Sequence, residues 1–410
     1  MPKISVLIPA YNVESYIAEC LDSVLRQSLQ DFEIICIDDA STDNTLSILR
    51  EYEVRDNRIK VYTHDKNMGQ SCGRNHALEY ASGEYVYMLD ADDMIRREMF
   101  EELYLLGHAE NLDVIGFETE NFSADSEFMK NVRIKTLTYS DTEVMDGHEA
   151  LNYCMENETM SLSVPTFFIR REYLIQNNIR FVEGILHEDV GYILELVVKA
   201  VRITFKHKIY FLRRIRANST MTKGFTENNI RGYLKSFYKS FELEPELKTY
   251  LDKDERFKKA YRKWQRDIYG RLDQLYLQVS EDAVTCADAG EVFKSGSHEM
   301  SIEIDRAYEI LKLHHWRTEE LGISECYLCG VGQYTERTIE AVGAQGIIIR
   351  GIIVMEDKAP AFKGFPTYKP EEVDVTIPVI LSVSKYTKEE YKTVLNQTGI
   401  NKLMELDFLC

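Results

Sequence analysis

Long hydrophobic runs are missing from this 410-residue chain. No window approaches 18 consecutive apolar residues, which excludes a membrane-spanning helix. An excess of positive charge is missing too. Lys and Arg number 49 against 68 Asp and Glu, a net charge of −19. A nucleic-acid partner would require phosphate repulsion to be overcome locally, so that class is set aside. Cysteines are few and scattered, at 20, 36, 72, 154, 286, 326, 329 and 410, and suggest no disulfide framework. Cys326 and Cys329 alone form a C-x-x-C. On a strand a spacing of three puts them on opposite faces, so they read as small buried core residues rather than a zinc or redox pair. No small-residue cleavage site follows the short apolar run after Met1-Pro2-Lys3. That run reads as a buried strand rather than a signal peptide, and with reduced thiols the expected compartment is the cytoplasm.

What is present is the composition of a globular chain, 44% hydrophobic and 29% charged, long enough for two or three domains. The first hundred residues alternate strand-like and helix-like patterns. Strands are expected over 4–8 (stopping at Pro9), 32–37, 59–62 and 85–89, and helices over 15–29, from Asp43-Asn44 through Arg50 and beyond, and over 69–81. Such alternation implies βαβ units and a mostly parallel sheet, and in such sheets ligands gather at the carboxyl ends of strands. Those ends carry Pro9-Ala10-Tyr11-Asn12, Asp38-Asp39 and Asp90-Ala91-Asp92-Asp93.

The carboxylates suggest chemistry. If Asp90-x-Asp92 continued a strand, both side chains would share a face. Two hard oxygen donors suit Mg²⁺ or Mn²⁺ holding a diphosphate; a solvated turn is the plain alternative. Asp39 could accept from a base or ribose, or Asp38-Asp39 could simply cap the helix near Asp43. Further on, His187-Glu188-Asp189 opens an apolar-periodic segment, where acids could merely favour the helix dipole.

Residues 110–220 are less regular, with a strand at 114–117 and a helix near 147–156. Residues 225–320 read as mainly helical. Within them, 231–271 carry 12 Lys and Arg against 7 Asp and Glu, a local +5, with Phe237, Tyr238, Phe241, Tyr261, Trp264 and Tyr269 interleaved. The preferred reading packs these aromatics inward; the other is a surface for an anionic membrane or partner. Residues 323–408 return to strand–helix alternation. Gly330-x-Gly332 with Thr335, and Glu356 or Asp357 some 25 residues on, give a partial dinucleotide-binding pattern. The expected domains are 1–224, 225–320 and 321–410, the last a small Rossmann-like α/β unit.

The run Ile4 to Asn12, Leu21 to Ser28, Phe32 to Ile35, Asp38 to Asp43, Asn67-Met68-Gly69 with Arg74-Asn75, Gly83-Glu84-Tyr85, Leu89 to Asp93, Arg171 to Leu174, Ile179 to Gly184, and Glu188-Asp189 resembles glycosyltransferase family 2 over about residues 1–220. The resemblance implies a GT-A fold, an inverting transfer, and a nucleotide-sugar donor, most often a uridine diphosphate sugar. It implies that Pro9, Tyr11, Asn12, Asp39, Arg74, Asp90 and Ala91 hold the donor. Asp92, with Asp90 and Asp93, would hold a divalent metal, Mn²⁺ or Mg²⁺. Asp189 would be the general base and Glu188 its neighbour. One departure is Ala40, where many relatives have Gly. The implied acceptor is a glycan or lipid-linked saccharide of a bacterial surface polysaccharide; peripheral membrane contact and a homo-oligomer remain open. Three rivals are weaker. A catalytically silent scaffold would not need Asp90, Asp92 and Asp189. A nucleotidyltransferase would want a Gly-rich basic loop where Pro9-Ala10-Tyr11-Asn12 stands. An NAD-linked oxidoreductase would leave the first 220 residues unexplained.

Overall fold

The computed structural model describes residues 1–123, 137–216, 226–285, 324–330, 347–355, 361–381, 385–400 and 403–405, with Thr335, Ile339 and Val342. It comprises two units, Met1–Lys263 and Trp264–Cys410.

The first unit is built on β1 (Ile4–Ala10), buried at all seven positions. Val6 and Ile8 enter one core cluster and Leu7 the other, so both faces are covered, as parallel sheets require. There follow α1 (Ile17–Leu25), β2 (Phe32–Asp38), α2 (Thr45–Arg55), β3 (Ile59–Thr63), α3 (Gln70–Tyr80), β4 (Tyr85–Met88), β5 (Met94–Ile95), α4 (Met99–Ala109) and β6 (Val114–Phe122). Then come α5 (Gly147–Glu156), β7 (Phe167–Arg170), α6 (Arg171–Gln176), α7 (Glu188–Val198), β8 (Ile203–Arg214), α8 (Glu227–Lys253) and α9 (Glu255–Thr285), the last running past the unit boundary. The sheet order is β3-β2-β1-β4-β7-β6-β8-β5. Its first four strands are parallel; β7 runs antiparallel to both β4 and β6, and β5 to β8. The expected parallel half is therefore present, and the irregular middle of the sequence supplies a mixed half.

Two boundaries differ from expectation. Pro9 does not stop β1, which continues to Ala10. Pro9 shares the parity of Leu7, whose carbonyl accepts from Leu89 N–H on the β4 side; β4 ends at Met88, so the donor that Pro9 lacks falls where no strand remains. Helix α1 ends at Leu25 rather than 29, because Gln27 turns inward, donating to Arg96 O at 2.8 Å and accepting from Phe100 N at 3.0 Å. The start of α2 falls at Asp43-Asn44, as the sequence reading expects: Asn44 is the N-cap and the Asp43 carboxylate accepts from Thr45 N at 2.9 Å. Ala40 has φ +59°, the left-handed region, which is the reason a glycine suits that position.

The second unit holds β9 (Glu325–Cys329), β10 (Ile348–Ile353), β11 (Ala361–Phe362), β12 (Phe365–Tyr368), β13 (Val379–Leu381), α10 (Lys385–Gln397) and β14 (Leu403–Glu405). The sheet order is β11-β12-β10-β9-β13-β14, parallel except for the β11–β12 hairpin. Cys326 and Cys329 lie in opposite core clusters as buried thiols, and burial pushes both up to about 12. Residues 331–334 of the glycine pattern, and Glu356 and Asp357, lie outside the described residues, as does the segment 286–323. Phe237, Tyr261, Trp264 and Tyr269 are buried, as the inward-packing reading expects.

Candidate active site

β2 flanks β1 on one side and β4 on the other, so the chain reverses its direction of travel across the sheet there. A crevice outside the carboxyl ends of these strands is where α/β sheets bind ligands. Tyr11 is exposed at the end of β1. Asn12, with φ +51°, accepts from Thr42 N at 2.8 Å and donates its own N–H to Ser41 Oγ at 3.1 Å. Its side chain thus joins the loops after β1 and β2. Asp39 is buried and collects three donors: Met68 N (2.9 Å) and His64 Nδ1 (2.7 Å) on Oδ1, and Gly69 N (2.7 Å) on Oδ2. Gly69 reaches it with φ +87°, a conformation that strains residues bearing a Cβ.

Gly69 also leads into α3, which spans the site. Gln70 and Arg74, one turn apart on one face, both donate to Asp90 Oδ1, at 2.5 and 2.8 Å. The Arg74 side chain is only 1% exposed, yet faces three carboxylates. Its other terminal nitrogen donates to Asp189 Oδ1 at 2.6 Å and Glu188 Oε1 at 3.0 Å, and the guanidinium lies 5.0 Å from the Phe181 ring centroid. Asp189 Oδ2 accepts from Val164 N at 3.2 Å. Burial pushes the Glu188 carboxyl up to about 7, helped by the charge of Asp189 and opposed by Arg74. Burial likewise holds Asp189 above the usual carboxylate range despite Arg74. A carboxylate whose proton affinity is raised above its ordinary value is better suited to take a proton.

The acidic turn departs from the strand-face expectation. β4 ends at Met88, and Asp93 N donates to Asp90 O at 3.0 Å, so Asp90 to Asp93 form a turn. Its carboxylates go separate ways: Asp90 to α3, Asp92 to Arg216 Nε at 2.9 Å, and buried Asp93 to Arg214 N at 2.6 Å. Ala91 is buried between them. Burial raises Asp92, with the charge of Asp90 adding and Arg216 opposing. Burial and the charges of Asp92 and Asp90 raise Asp93. Among the described residues no three His, Cys, Asp or Glu side chains are grouped to hold a metal ion.

Helix α8 completes the arrangement. His187, immediately before α7, has φ +57°. Asn229 of α8 turns its amide oxygen to Thr226 N (2.8 Å), closing the cap of α8, which leaves its NH₂ group to donate to His187 Nε2 at 3.0 Å. Gly232, one turn on, lies so close to the loop before His187 that a Cβ there would meet Leu186 O at 1.7 Å. A backbone carbonyl cannot rotate away as a flexible side chain can. Gly232→Ala is therefore expected to lower the free energy of unfolding by about 1–3 kcal/mol; an unchanged urea midpoint contradicts this packing.

Asp39 and Asp189 are thus joined by a run of contacts through Gly69, Gln70, Arg74 and Asp90, two residues from Asp92. Sequence reading missed His64, His76, Asn229, Arg214 and Arg216. Only the histidines carried a signal, as titratable residues near Asp39 and on α3.

Residues 5–177 match the family model described as glycosyl transferase family 2. The chain is 28% identical over 253 residues to the glycosyltransferase YibD of Escherichia coli, covering 61% of this chain and 73% of that protein. It is 40% identical over 115 residues to a poly(ribitol-phosphate) beta-glucosyltransferase of Bacillus spizizenii, covering 27% and 18%. In fold it is similar to the crystal structure of S. aureus TarS in complex with UDP-GlcNAc, with a TM-score of 0.50 and 20% identity over 78% of this chain and 93% of that one. Among the described residues no helix is long and apolar enough to cross a membrane.

Proposed function

The chain is a glycosyltransferase whose residues 5–177 place it in family 2, with a GT-A fold, and from that premise we propose that it transfers a sugar from a uridine diphosphate sugar to a hydroxyl of a bacterial surface polysaccharide or its lipid-linked precursor, with inversion. The similarity to a poly(ribitol-phosphate) beta-glucosyltransferase supports the polymer class. One observation carries the chemistry: the buried guanidinium of Arg74 gathers the partly exposed carboxylates of Asp90, Glu188 and Asp189 beside the Asp90–Asp93 turn.

Asp189 is the general base. It takes the proton of the acceptor hydroxyl at Oδ1 or Oδ2 as that oxygen attacks the anomeric carbon. Arg74 and Val164 N–H hold the carboxylate in one orientation. Asp39, held by three N–H donors, accepts from the base of the donor; Tyr11, exposed at the end of β1, flanks it, and Pro9, Asn12 and Ala91 shape the loops around it. Asp92 and Asp90 fit a divalent cation, Mn²⁺ or Mg²⁺. Both are hard oxygen donors, and such ions take one or two protein carboxylates with other oxygens completing the shell; Asp92, paired with Arg216 at 2.9 Å, stays partly exposed. When bound, the ion offsets charge growing on the leaving diphosphate. Asp93, tied to Arg214 N, steadies the turn.

The test is UDP release from a panel of UDP-sugars with Mn²⁺, with and without acceptor, beside donor affinity by calorimetry. Wild type is expected to release UDP. Asp92→Asn is expected to bind donor at least ~10-fold more weakly in Mn²⁺ but to match wild type in chelator, the loss of one charge-assisted ligand. Equal affinities in Mn²⁺ refute the ligand role of Asp92.

A further inference from the structure

Asp39 also ends a second hydrogen-bonded row, which the transfer chemistry does not use. His64 Nδ1 is 2.7 Å from Asp39 Oδ1, His64 Nε2 is 3.0 Å from His76 Nδ1, and His76 Nε2 is 3.2 Å from the Tyr80 hydroxyl. The backbone places each member. His64 follows β3 and donates its own N–H to Asp38 O at 2.9 Å, so it stands beside the end of β2. His76 and Tyr80 are one turn apart on α3 and share a face. The two imidazoles lie with their planes 11° apart and centroids 5.1 Å apart, as an in-plane hydrogen bond between ring nitrogens requires, and Tyr80 stacks on Tyr62 of β3 at 3.8 Å, which holds the far end of the row in place.

The protons follow from the end of the row. Both Asp39 oxygens already accept from backbone N–H groups, Oδ1 from Met68 and Oδ2 from Gly69, so the carboxylate acts as acceptor and His64 Nδ1 donates. In a neutral imidazole Nε2 then accepts, which makes His76 Nδ1 a donor and His76 Nε2 the acceptor of the Tyr80 O–H. Every contact then has one donor and one acceptor, with both rings neutral. At Asp39 the count is equally closed. Oδ1 takes His64 and Met68 N–H, and Oδ2 takes Gly69 N–H. With about two lone-pair sites per oxygen, one site remains, on Oδ2.

We infer that the His64–His76–Tyr80 row selects the base of the donor: by holding His64 as a donor to Oδ1, it leaves Asp39 a single acceptor site, which suits a base offering one ring N–H between two carbonyls, as uracil does. Guanine presents a ring N–H beside an amino group and needs two adjacent acceptors, one of them Oδ1. Cytosine presents a ring acceptor to a carboxylate that can only accept. His64 is thus a positioning residue that acts through Asp39. The inference rests on the nucleotide-sugar reading above.

The experiment uses the full chain, with UDP, GDP and CDP titrated calorimetrically. Wild type is expected to prefer UDP. His64→Leu is expected to weaken UDP about 10-fold, the loss of one charge-assisted hydrogen bond, and to narrow the UDP-to-GDP ratio, with kcat at saturating donor unchanged. His64→Asn, whose amide can donate from near the Nδ1 position, restores both. In ¹⁵N-histidine spectra at pH 7.5, His64 is expected as the neutral Nδ1–H tautomer, a signature lost in His76→Phe while the fold is kept. An unchanged UDP-to-GDP ratio in His64→Leu, or a doubly protonated His64 in wild type, overturns the inference. A wild type that prefers GDP overturns the uracil assignment while the tautomer spectra still report on the row; one that binds none of the three overturns the donor reading beneath it.

Discussion

Asp189→Asn is expected to lower turnover by about 10²–10⁴-fold, the usual contribution of a positioned general base, with donor affinity within a few-fold of wild type. The variant keeps the shape of the side chain and one acceptor for Arg74. It loses the lone pair that takes the proton, and it sets an NH₂ group against either Arg74 or the N–H of Val164. The pH profile sharpens the assignment. A base works only when ionised, and burial holds both Glu188, at about 7, and Asp189 above ordinary carboxylate values. Wild-type kcat/KM should therefore fall on the acid side at a pH above that of an ordinary carboxylate. Glu188→Gln removes a neighbouring negative charge, which makes Asp189 easier to ionise and should move that acid limb to lower pH while activity persists. Near-normal turnover in Asp189→Asn removes the base from this position. An acid limb that stays in place in Glu188→Gln uncouples the two carboxylates.

The second large effect concerns Arg74. Arg74→Met leaves Asp90, Glu188 and Asp189 around an apolar side chain, with no guanidinium among them. Removing one partner of a buried ionic network costs about 3–5 kcal/mol, so the urea midpoint at pH 7.5 should fall steeply and activity with it. The sign of the pH dependence distinguishes this from loss of packing. Without Arg74, Glu188 and Asp189 hold their protons still more strongly, so their folded pKa values rise further above the unfolded ones. For such groups stability is fully present below the unfolded values, near 4, and is lost as pH rises through the folded ones. The deficit of Arg74→Met should thus shrink from pH 7.5 to pH 5. A deficit independent of pH would mean that Arg74 matters for its volume alone. Arg74→Lys should recover only part of the loss, since a compact ammonium cannot span three carboxylates as the guanidinium does.

The two variants bear on a question the sequence posed wrongly in one detail. Asp90-x-Asp92 was expected on one strand face, and the expectation fails because apolar residues alone do not say where a strand ends. Tyr85 to Met88 are all buried, but the hydrogen bond from Asp93 N to Asp90 O closes a turn first. The same limit explains Pro9 and Gln27, whose roles depend on which neighbour has already left the sheet and which carbonyl lies within reach. Likewise the family resemblance puts Arg74 near the nucleotide, whereas its guanidinium meets the acids of α7 and of the turn after β4.

The sequence by itself determined the local facts: alternating apolar runs made strands, Asp43 started α2, Glu188 and Asp189 opened α7, and acidic residues stood at the ends of β2 and β4. Each follows from interactions among residues a few positions apart, which periodicity and capping chemistry report directly. Only the tertiary structure decided who faces whom. Arg74 meets Asp189 across 115 residues, Asp92 meets Arg216 across 124, and Asn229 of α8 grips His187 across 42. Such pairs depend on how strands order themselves in the sheet and which helix end is brought over it. A one-dimensional pattern carries no record of that geometry, because the burial that makes each pairing strong arises only once the chain has folded.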